Sequence, residues 1–384
     1  MKQRLAILGS TGSIGLQTLD VCRKFPDRFE VEVLTAGKQG GELIRQALEF
    51  NPNMVVIGDE SQYDVVSEAL KNTDIKVFCG SKSIAEAATV ESVDTVVLAL
   101  VGISGLAPAY AALKAGKKLA LANKEVLVVA GELIAKTSIE NRAAIIPIDS
   151  EHSAIMQCLQ GESSATIQKI ILTASGGPFR GFNMDQLQNV TREQALAHPV
   201  WSMGNKISID SATMMNKGFE VIEARWLFNV PAEKIDVVIH PQSIIHSMVQ
   251  FVDGSVKAQM SRPDMRLPIL YALTWPERIP APFQTEGIKD IWSLTFEKAD
   301  TTTFRHLQFA FEALNKGGGA PCVLNASNEV AVELFLNNKI SFTGMQKMSE
   351  SALNNISAGV PASIEEYLAL DLETRAYCQT LNLK

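Results

Sequence analysis

RLAILGSTGSIGLQTLDVCRKF, residues 4–25, decides the architecture. The apolar run RLAIL leads straight into GSTGSIG, Gly9 to Gly15, and the amphipathic stretch LQTLDVCRKF follows. Glycines let a backbone approach a pyrophosphate closely. A helix that starts there adds unpaired N–H groups and the positive end of its dipole. The spacing is GxxGxxG rather than the commoner GxGxxG, and a tight turn with close packing is the alternative reading. The setting favours a nucleotide, because strand, glycine turn and helix open an alternating α/β region.

That region extends over the first 150 residues. RLAIL, VEVLTA, NMVVIG, IKVFC, DTVVLAL, KLALA and AAIIPI read as strands, with amphipathic stretches such as SQYDVVSEALKN between most of them. Such alternation predicts a parallel sheet with helices on both faces. Residues 95–113, TVVLALVGISGLAPAYAAL, carry no charge over a length that suggests a membrane span. Gly102, Ser104, Gly105 and Pro108 split them into strand, turn and helix start, which fits the buried middle of an α/β sheet.

Beyond residue 150 the pattern changes. KIILTAS, IDVVIHP, HSMVQFV and SVKAQMS read as strands, and Asp253-Gly254 is a hairpin signal between the last two. One long helix is expected over 212–228. Residues 276–305 hold Pro276, Pro280 and Pro282 with little periodicity and read as a linker. Residues 306–384 read as helical, for example SNEVAVELFLNN. The expected division is therefore 1–149, 150–275, a linker 276–305, and 306–384; 384 residues suit two or three domains.

Composition adds exclusions. Hydrophobic residues make up 46% and charged ones 20%, and the net charge is −7, so neither a nucleic-acid nor a membrane surface is indicated. Cys22, Cys79, Cys158, Cys322 and Cys378 are dispersed with no CxxC, which suits a reducing compartment. Lys2 and Arg4 precede an apolar stretch too short for a signal peptide. The cytoplasm is the expected location.

Several stretches carry chemistry. VEVLTA runs into Gly37-Lys38-Gln39, where an NAD site would place an acid for the ribose 2′-OH. A cation there suits the 2′-phosphate of NADP; a solvated surface lysine is the alternative. LALANKEVL sets Asn123, Lys124 and Glu125 just beyond a strand's carboxyl end, the edge where open α/β sheets bind ligands. Asn123 would equally serve as a helix cap. In PIDSEHSAI, residues 147–155, Asp149 and Glu151 at i and i+2 of an extended chain would aim at one point, as metal ligands do, with Ser150 turned away. A polar turn capping the next helix is the plainer account. HPVWSMGNK, 198–206, has little regular pattern and reads as a mobile lid, its tryptophan covering a substrate and its glycine flexing. In DSATMMNKGFEVIEARWLF, Ser211, Asn216 and Lys217 are donors around a helix start, the type that gathers a phosphate. Glu220 lies at i+4 from Asn216 and i+3 from Lys217, and offers a third carboxylate or an ordinary ion pair. LTASGGPF ends another strand in Ser175-Gly176-Gly177, a turn or a further phosphate contact. His240 and His246 read as structural.

Taken in order, GSTGSIG, LANKE, PIDSEHSAI, TASGGPF, HPVWSMG, KISIDSATMMNKGFEVIEARWLF and HPQSIIHSMV resemble the 1-deoxy-D-xylulose 5-phosphate reductoisomerase family over nearly the whole chain. The resemblance implies an N-terminal Rossmann-like domain that binds NADPH, an α+β catalytic domain with a flexible lid, and a C-terminal helical domain. It also implies a homodimer and a Mg²⁺ or Mn²⁺ ion. Asp149, Glu151 and Glu220 would hold the metal, as hard oxygen ligands suit these ions. Ser175, Ser211, Asn216 and Lys217 would hold the substrate phosphate with His198 beside it. Ser150 and Lys124 would meet the substrate's oxygens, Glu151 and Lys124 would be catalytic, and Trp201 would close over the carbon chain. Thr11, Gly12, Ser13, Ile14, Gly37, Lys38, Gln39, Asn123, Glu125 and Gly204 would touch NADPH. The implied reaction rearranges and reduces 1-deoxy-D-xylulose 5-phosphate to 2-C-methyl-D-erythritol 4-phosphate, a step of non-mevalonate isoprenoid precursor synthesis.

The residues alone reach only NADPH, a divalent metal and a phosphorylated, oxygenated substrate. A metal- and NADP-dependent hydroxyacid dehydrogenase would want arginines for a carboxylate, where this chain offers Ser, Asn and Lys. An NADP-sensing binding module has no use for three carboxylates.

Overall fold

A computed structural model describes residues 2–201, 203–283 and 293–383. They fall into two compact units, the first drawn from 1–126, 134–153 and 264–285, the second from 127–133, 154–263 and 286–384.

The first unit begins β1 (Gln3–Leu8), α1 (Ser13–Lys24), β2 (Phe29–Ala36), α2 (Gly40–Phe50), β3 (Met54–Ile57), α3 (Tyr63–Leu70), β4 (Lys76–Cys79) and α4 (Gly80–Ala87). It continues with β5 (Thr95–Leu98), α5 (Leu106–Lys114), β6 (Lys118–Leu121), α6 (Glu125–Glu140), β7 (Ile145–Pro147) and α7 (Ser150–Cys158), the middle of α6 and the end of α7 belonging to the second unit. The seven strands expected from the apolar runs form one sheet, ordered β4-β3-β2-β1-β5-β6-β7, parallel throughout. β1 and β5 lie almost wholly buried because helices cover both faces. The order reverses direction between β1 and β5, and such a reversal opens a crevice at the strands' carboxyl ends. Residues 95–113 split as expected into β5, a turn and α5. No helix among the described residues is long and apolar enough to cross a membrane.

The second unit contains β8 (Ile167–Ala174), α8 (Met184–Leu187), α9 (Arg192–Leu196), α10 (Asn205–Thr213), α11 (Met215–Phe228), β9 (Ile235–Ile239), β10 (Ile245–Phe251) and β11 (Val256–Met260). The chain then enters α12 (Arg266–Thr274), which returns to the first unit. There Arg266 binds Asp20 of α1 (2.9 Å), and the Lys118 ammonium at the start of β6 donates to the Leu273 carbonyl (3.2 Å). After α12 come β12 (Glu297–Lys298), α13 (Arg305–Lys316), α14 (Ala320–Leu336), α15 (Phe342–Asn355) and α16 (Ile364–Thr380), all in the second unit. Its sheet is ordered β11-β10-β8-β9-β12, with β8 and β9 parallel and the other pairs antiparallel. The Asp253-Gly254 hairpin forms: Gly254 has φ 85°, and the Asp253 carboxylate accepts from the Ser255 amide (2.9 Å). Of the expected linker 276–305, residues 284–292 lie outside the described residues, while Glu297–Lys298 pair with β9.

The long helix expected over 212–228 is interrupted. Met214, with φ 66°, ends α10 and starts α11. A left-handed residue at a helix end is a common stop, and a methionine there breaks an apolar periodicity that otherwise reads as continuous. Behind this break lies a core of Val128, Met215, Phe219, Ile222, Phe309, Ala310, Ala313, Ala320 and Leu324. Gly218 permits the close crossing of α11 and α13, since a Cβ there would stand 2.7 Å from that of Ala310. α14 is buried on most of its surface, as befits the central helix of a bundle.

Candidate active site

The turn after β1 does what its glycines allow. Gly9 has φ 91°, and a Cβ on it would lie 2.7 Å from the Ala99 carbonyl beyond β5. Gly15 sits in α1, where a Cβ would meet the Gly9 carbonyl at 2.3 Å. Gly12 is the N-cap of α1, extended and exposed. The three glycines thus serve a close approach to β5, an open face at the helix start, and helix packing onto the turn. The Ser10 amide donates to the Thr35 carbonyl (2.8 Å), which ties the turn to the end of β2. Thr11, Gly12, Ser13 and Ile14 line the outer side of this turn, all at least partly exposed. Gly37, Lys38 and Gln39 bridge β2 and α2 and are exposed.

Asn123 is buried, and its amide is committed. It donates to the carbonyls of Leu100 (2.8 Å) and Gly102 (2.9 Å) and accepts from the Val126 amide (3.1 Å). The capping reading therefore applies, and the same side chain fixes the loop after β5. Glu125 opens α6 and is buried. The buried Lys124 ammonium lies 2.5 Å from Asp149.

The extended-chain argument for Asp149 and Glu151 does not hold. β7 ends at Pro147 and α7 begins at Ser150, so the two acids straddle a helix start. The Asp149 carbonyl accepts from the Ser153 amide (2.8 Å), which places Asp149 as the first cap of α7 and Glu151 in its first turn. The Ser150 hydroxyl donates to Glu151. Carboxylates at a helix N-terminus sit in its favourable dipole field. Strand alternation failed as a guide because the strand ends at Pro147, two residues before Asp149, although the apolar run continues to Ile148.

In the second unit Ser175, Gly176 and Gly177 follow β8. Gly176 and Gly177 have φ 86° and 66°, and a Cβ on Gly177 would lie 2.7 Å from the Ser211 carbonyl. Only glycine lets this loop press against α10, so Gly177 is brought against the Ser211 backbone. Ser175 Oγ lies 3.0 Å from His198 Nε2 and accepts from the Gly177 amide (3.2 Å). His198 Nδ1 accepts from the amides of Val200 (3.2 Å) and Trp201 (2.9 Å), so the ring proton sits on Nε2 and points at Ser175. Burial holds the imidazole below its ordinary pKa, which favours this neutral tautomer. With both lone pairs engaged, the Ser175 hydroxyl has its own proton to offer a ligand. Trp201 lies with its ring centre 6.4 Å from that of His246, and Gly204 is the N-cap of α10.

α11 carries the third group. Glu220 is fully buried; Asn216 donates to its Oε1 (2.5 Å) and the buried Lys217 ammonium to its Oε2. This is the i+4 and i+3 pairing expected from spacing, but in the interior rather than on a surface. A buried carboxylate requires such compensation. His240 and His246 are each hydrogen-bonded within the chain: His240 Nε2 accepts from the Ile245 amide (3.2 Å), and Ser261 Oγ lies 2.9 Å from His246 Nε2.

The family profile described as 1-deoxy-D-xylulose 5-phosphate reductoisomerase matches residues 5–131, its C-terminal domain 145–228, and the DXP reductoisomerase C-terminal domain 260–377. The 1-deoxy-D-xylulose 5-phosphate reductoisomerase of Phocaeicola vulgatus is 51% identical over 381 residues, 99% of each chain. The chain belongs to the 1-deoxy-D-xylulose 5-phosphate reductoisomerase family. The corresponding protein of Porphyromonas gingivalis is 51% identical over 99% of this chain and 98% of its own. The structure of the Zymomonas mobilis reductoisomerase in complex with NADPH superposes with a TM-score of 0.93 at 41% identity, covering 99% and 100% of the two chains. A reductoisomerase in complex with NADPH, fosmidomycin and magnesium gives 0.94 at 41% identity, covering 98% of this chain and 97% of that one.

One support of this family's site was not legible in the motifs. Asp210, buried on α10, accepts from Asn328 of α14 (2.8 Å) and pairs with Lys206 (2.8 Å). It anchors the helix that bears Ser211 to the helical bundle. Asn328 lies 118 residues from Asp210, and no local pattern joins the two.

Proposed function

We propose that this chain converts 1-deoxy-D-xylulose 5-phosphate to 2-C-methyl-D-erythritol 4-phosphate, using NADPH and a divalent cation, in non-mevalonate isoprenoid precursor synthesis. Its membership of the family end to end carries the reading. Structures of relatives at 41% identity hold NADPH and magnesium, and the donor chemistry here fits both.

The turn 9–15 would take the pyrophosphate on backbone N–H groups at the start of α1, with Thr11, Gly12, Ser13 and Ile14 against it. Lys38, between Gly37 and Gln39, would pair with the 2′-phosphate, and Asn123, Glu125 and Gly204 would complete the cofactor's contacts. Asp149, Glu151 and Glu220 supply hard carboxylate oxygens, the ligand type for Mg²⁺ or Mn²⁺. When bound, the metal supplies Lewis-acid stabilisation of developing charge and NADPH supplies hydride.

The chain's own groups do the rest. Lys217, Asn216, Ser211 and Ser175 hold the phosphate, the last through a hydroxyl oriented by neutral His198. Lys124 and Ser150 hold the substrate's oxygens beside Asp149 and Glu151. Trp201 covers the carbon chain when residues 198–206 close, and water is excluded. Phosphate binding energy is thereby used at the reacting carbons. We further assign residues 1–149 to cofactor binding, 150–275 to catalysis and 306–384 to a helical domain. Support comes from the family matching in three successive parts, 5–131, 145–228 and 260–377. A homodimer in the cytoplasm completes the proposal; five free cysteines, four of them buried, suit a reducing compartment.

The test is NADPH oxidation with 1-deoxy-D-xylulose 5-phosphate, with and without Mg²⁺ or Mn²⁺, and mass analysis of the product. Metal-dependent formation of the branched polyol phosphate is expected. Turnover of hydroxyacids instead, or none with this substrate, overturns the reading.

A further inference from the structure

We propose that Gln46 is a positioning residue for cofactor specificity, locking the pyrophosphate turn and the 2′-phosphate loop into one rigid cradle. The inference rests on the proposed NADPH site and concerns a residue behind it. Gln46 lies on α2, the helix that begins directly after Gly37-Lys38-Gln39, and it is fully buried. Its amide is used completely. Gln46 Oε1 accepts from the Ser10 hydroxyl (2.6 Å), and Nε2 donates to the Ser10 carbonyl (3.2 Å) and to Glu42 Oε1 (3.0 Å). Ser10 is itself fully buried within the turn Gly9–Gly15, its side chain facing inward while Gly12 and Ser13 are exposed. The connection is therefore two-point: one residue of α2 grips both the side chain and the backbone of one residue of the turn.

The physical consequence follows from where the charges of the cofactor lie. NADPH has two anionic groups to place, one on the turn and one beside Lys38. Each is well held only if the two loops keep a fixed separation, and loss of preorganisation costs affinity at both. NADH has only the pyrophosphate, so it feels less of any play between turn and helix. A Gln46→Leu variant keeps the apolar bulk but removes all three hydrogen bonds; the Ser10 carbonyl loses the Gln46 donor, and the Ser10 hydroxyl is left with the Thr35 carbonyl (3.1 Å) alone.

Kd values for NADPH and NADH, read from cofactor fluorescence with the full-length protein, decide the matter. Wild type must bind NADPH at all; if it does not, the functional reading fails and not this inference. With the reading intact, Gln46→Leu is expected to weaken NADPH about tenfold and NADH by no more than about threefold. Ser10→Ala removes only the hydroxyl and is expected to show a smaller change of the same kind, about threefold on NADPH, with the double variant no worse than Gln46→Leu. If Gln46→Leu does not fold, the Ser10→Ala ratio decides by itself. Unchanged NADPH affinity in a folded variant, or equal losses for both cofactors, overturns the proposal.

Discussion

Two glycine turns, Gly9–Gly15 in the first unit and Ser175–Gly177 in the second, follow a strand's carboxyl end and suit an anion, yet they are built differently. In the first, a helix starts at Ser13, so the chain's own amides and dipole are presented at the turn. In the second, no helix follows directly, and donors come from elsewhere: His198 orients Ser175, and Ser211 is reached through contact at Gly177. The first is a backbone cradle and contiguous; the second is a side-chain cradle assembled from distant segments. Truncating the exposed side chains of the first turn should do little, whereas truncating Ser175, His198 or Ser211 should ruin the second.

The sharpest separation should come from Glu151→Gln, which keeps shape and removes a charge at the start of α7. Metal-dependent turnover is expected to fall by about 10³-fold or more, in line with loss of electrostatic stabilisation at a reacting centre. NADPH affinity, measured by fluorescence, should hold within about twofold because the cradle lies on other loops. Near-normal activity at saturating Mg²⁺ would remove Glu151 from the metal.

Lys217→Ala attacks the side-chain cradle at its one buried ammonium. A loss of about 2–3 kcal/mol in kcat/KM is expected for a charged hydrogen bond, with NADPH binding unchanged. The same substitution leaves buried Glu220 without its cation, so its metal affinity should change as well. Equal kinetics for Lys217→Ala and wild type at limiting substrate would place the phosphate elsewhere.

Paired alanine substitutions then test the two turns directly. Gly9→Ala and Gly177→Ala each force a side chain into left-handed backbone and against a carbonyl at 2.7 Å. Each should cost about 1–2 kcal/mol or more, Gly9→Ala in NADPH affinity and Gly177→Ala in substrate KM. If both variants lose the same property, the division of labour is wrong.

Lys38→Asp should narrow the NADPH over NADH preference in kcat/KM by about tenfold, the worth of one exposed phosphate contact. An unchanged ratio removes Lys38 from the 2′-phosphate.

The smallest effect concerns pH. Burial lowers the pKa of His198 from its ordinary 6.5. The unfolded chain thus takes up this proton at a higher pH than the folded one, and the loop loses stability as pH falls below 6.5. Protonated Nδ1 no longer accepts the Val200 and Trp201 amides. With Trp226, Trp275 and Trp292 replaced by Phe, Trp201 fluorescence should shift with a midpoint below 6.5. A midpoint at or above 6.5 contradicts the buried neutral tautomer.

Much of this was legible in the chain. The seven parallel strands, the glycine turn and the Asp253-Gly254 hairpin depend on local periodicity and on backbone freedom, both of which a short stretch encodes. The pairing of the donors Asn216 and Lys217 with the Glu220 carboxylate was equally local, because helical spacing alone makes them neighbours. Spacing failed at Asp149 and Glu151, where a helix start replaced the assumed strand, and at Met214, where left-handed backbone broke an unbroken apolar pattern. What tertiary structure alone decided is the set of long-range commitments: Asp210 to Asn328, Gly177 to Ser211, Ser10 to Gln46, and the return of α12 to Asp20. Each is a choice of partner made by packing and by the need to satisfy a buried polar group. No periodicity within one segment records what another segment will bring to it.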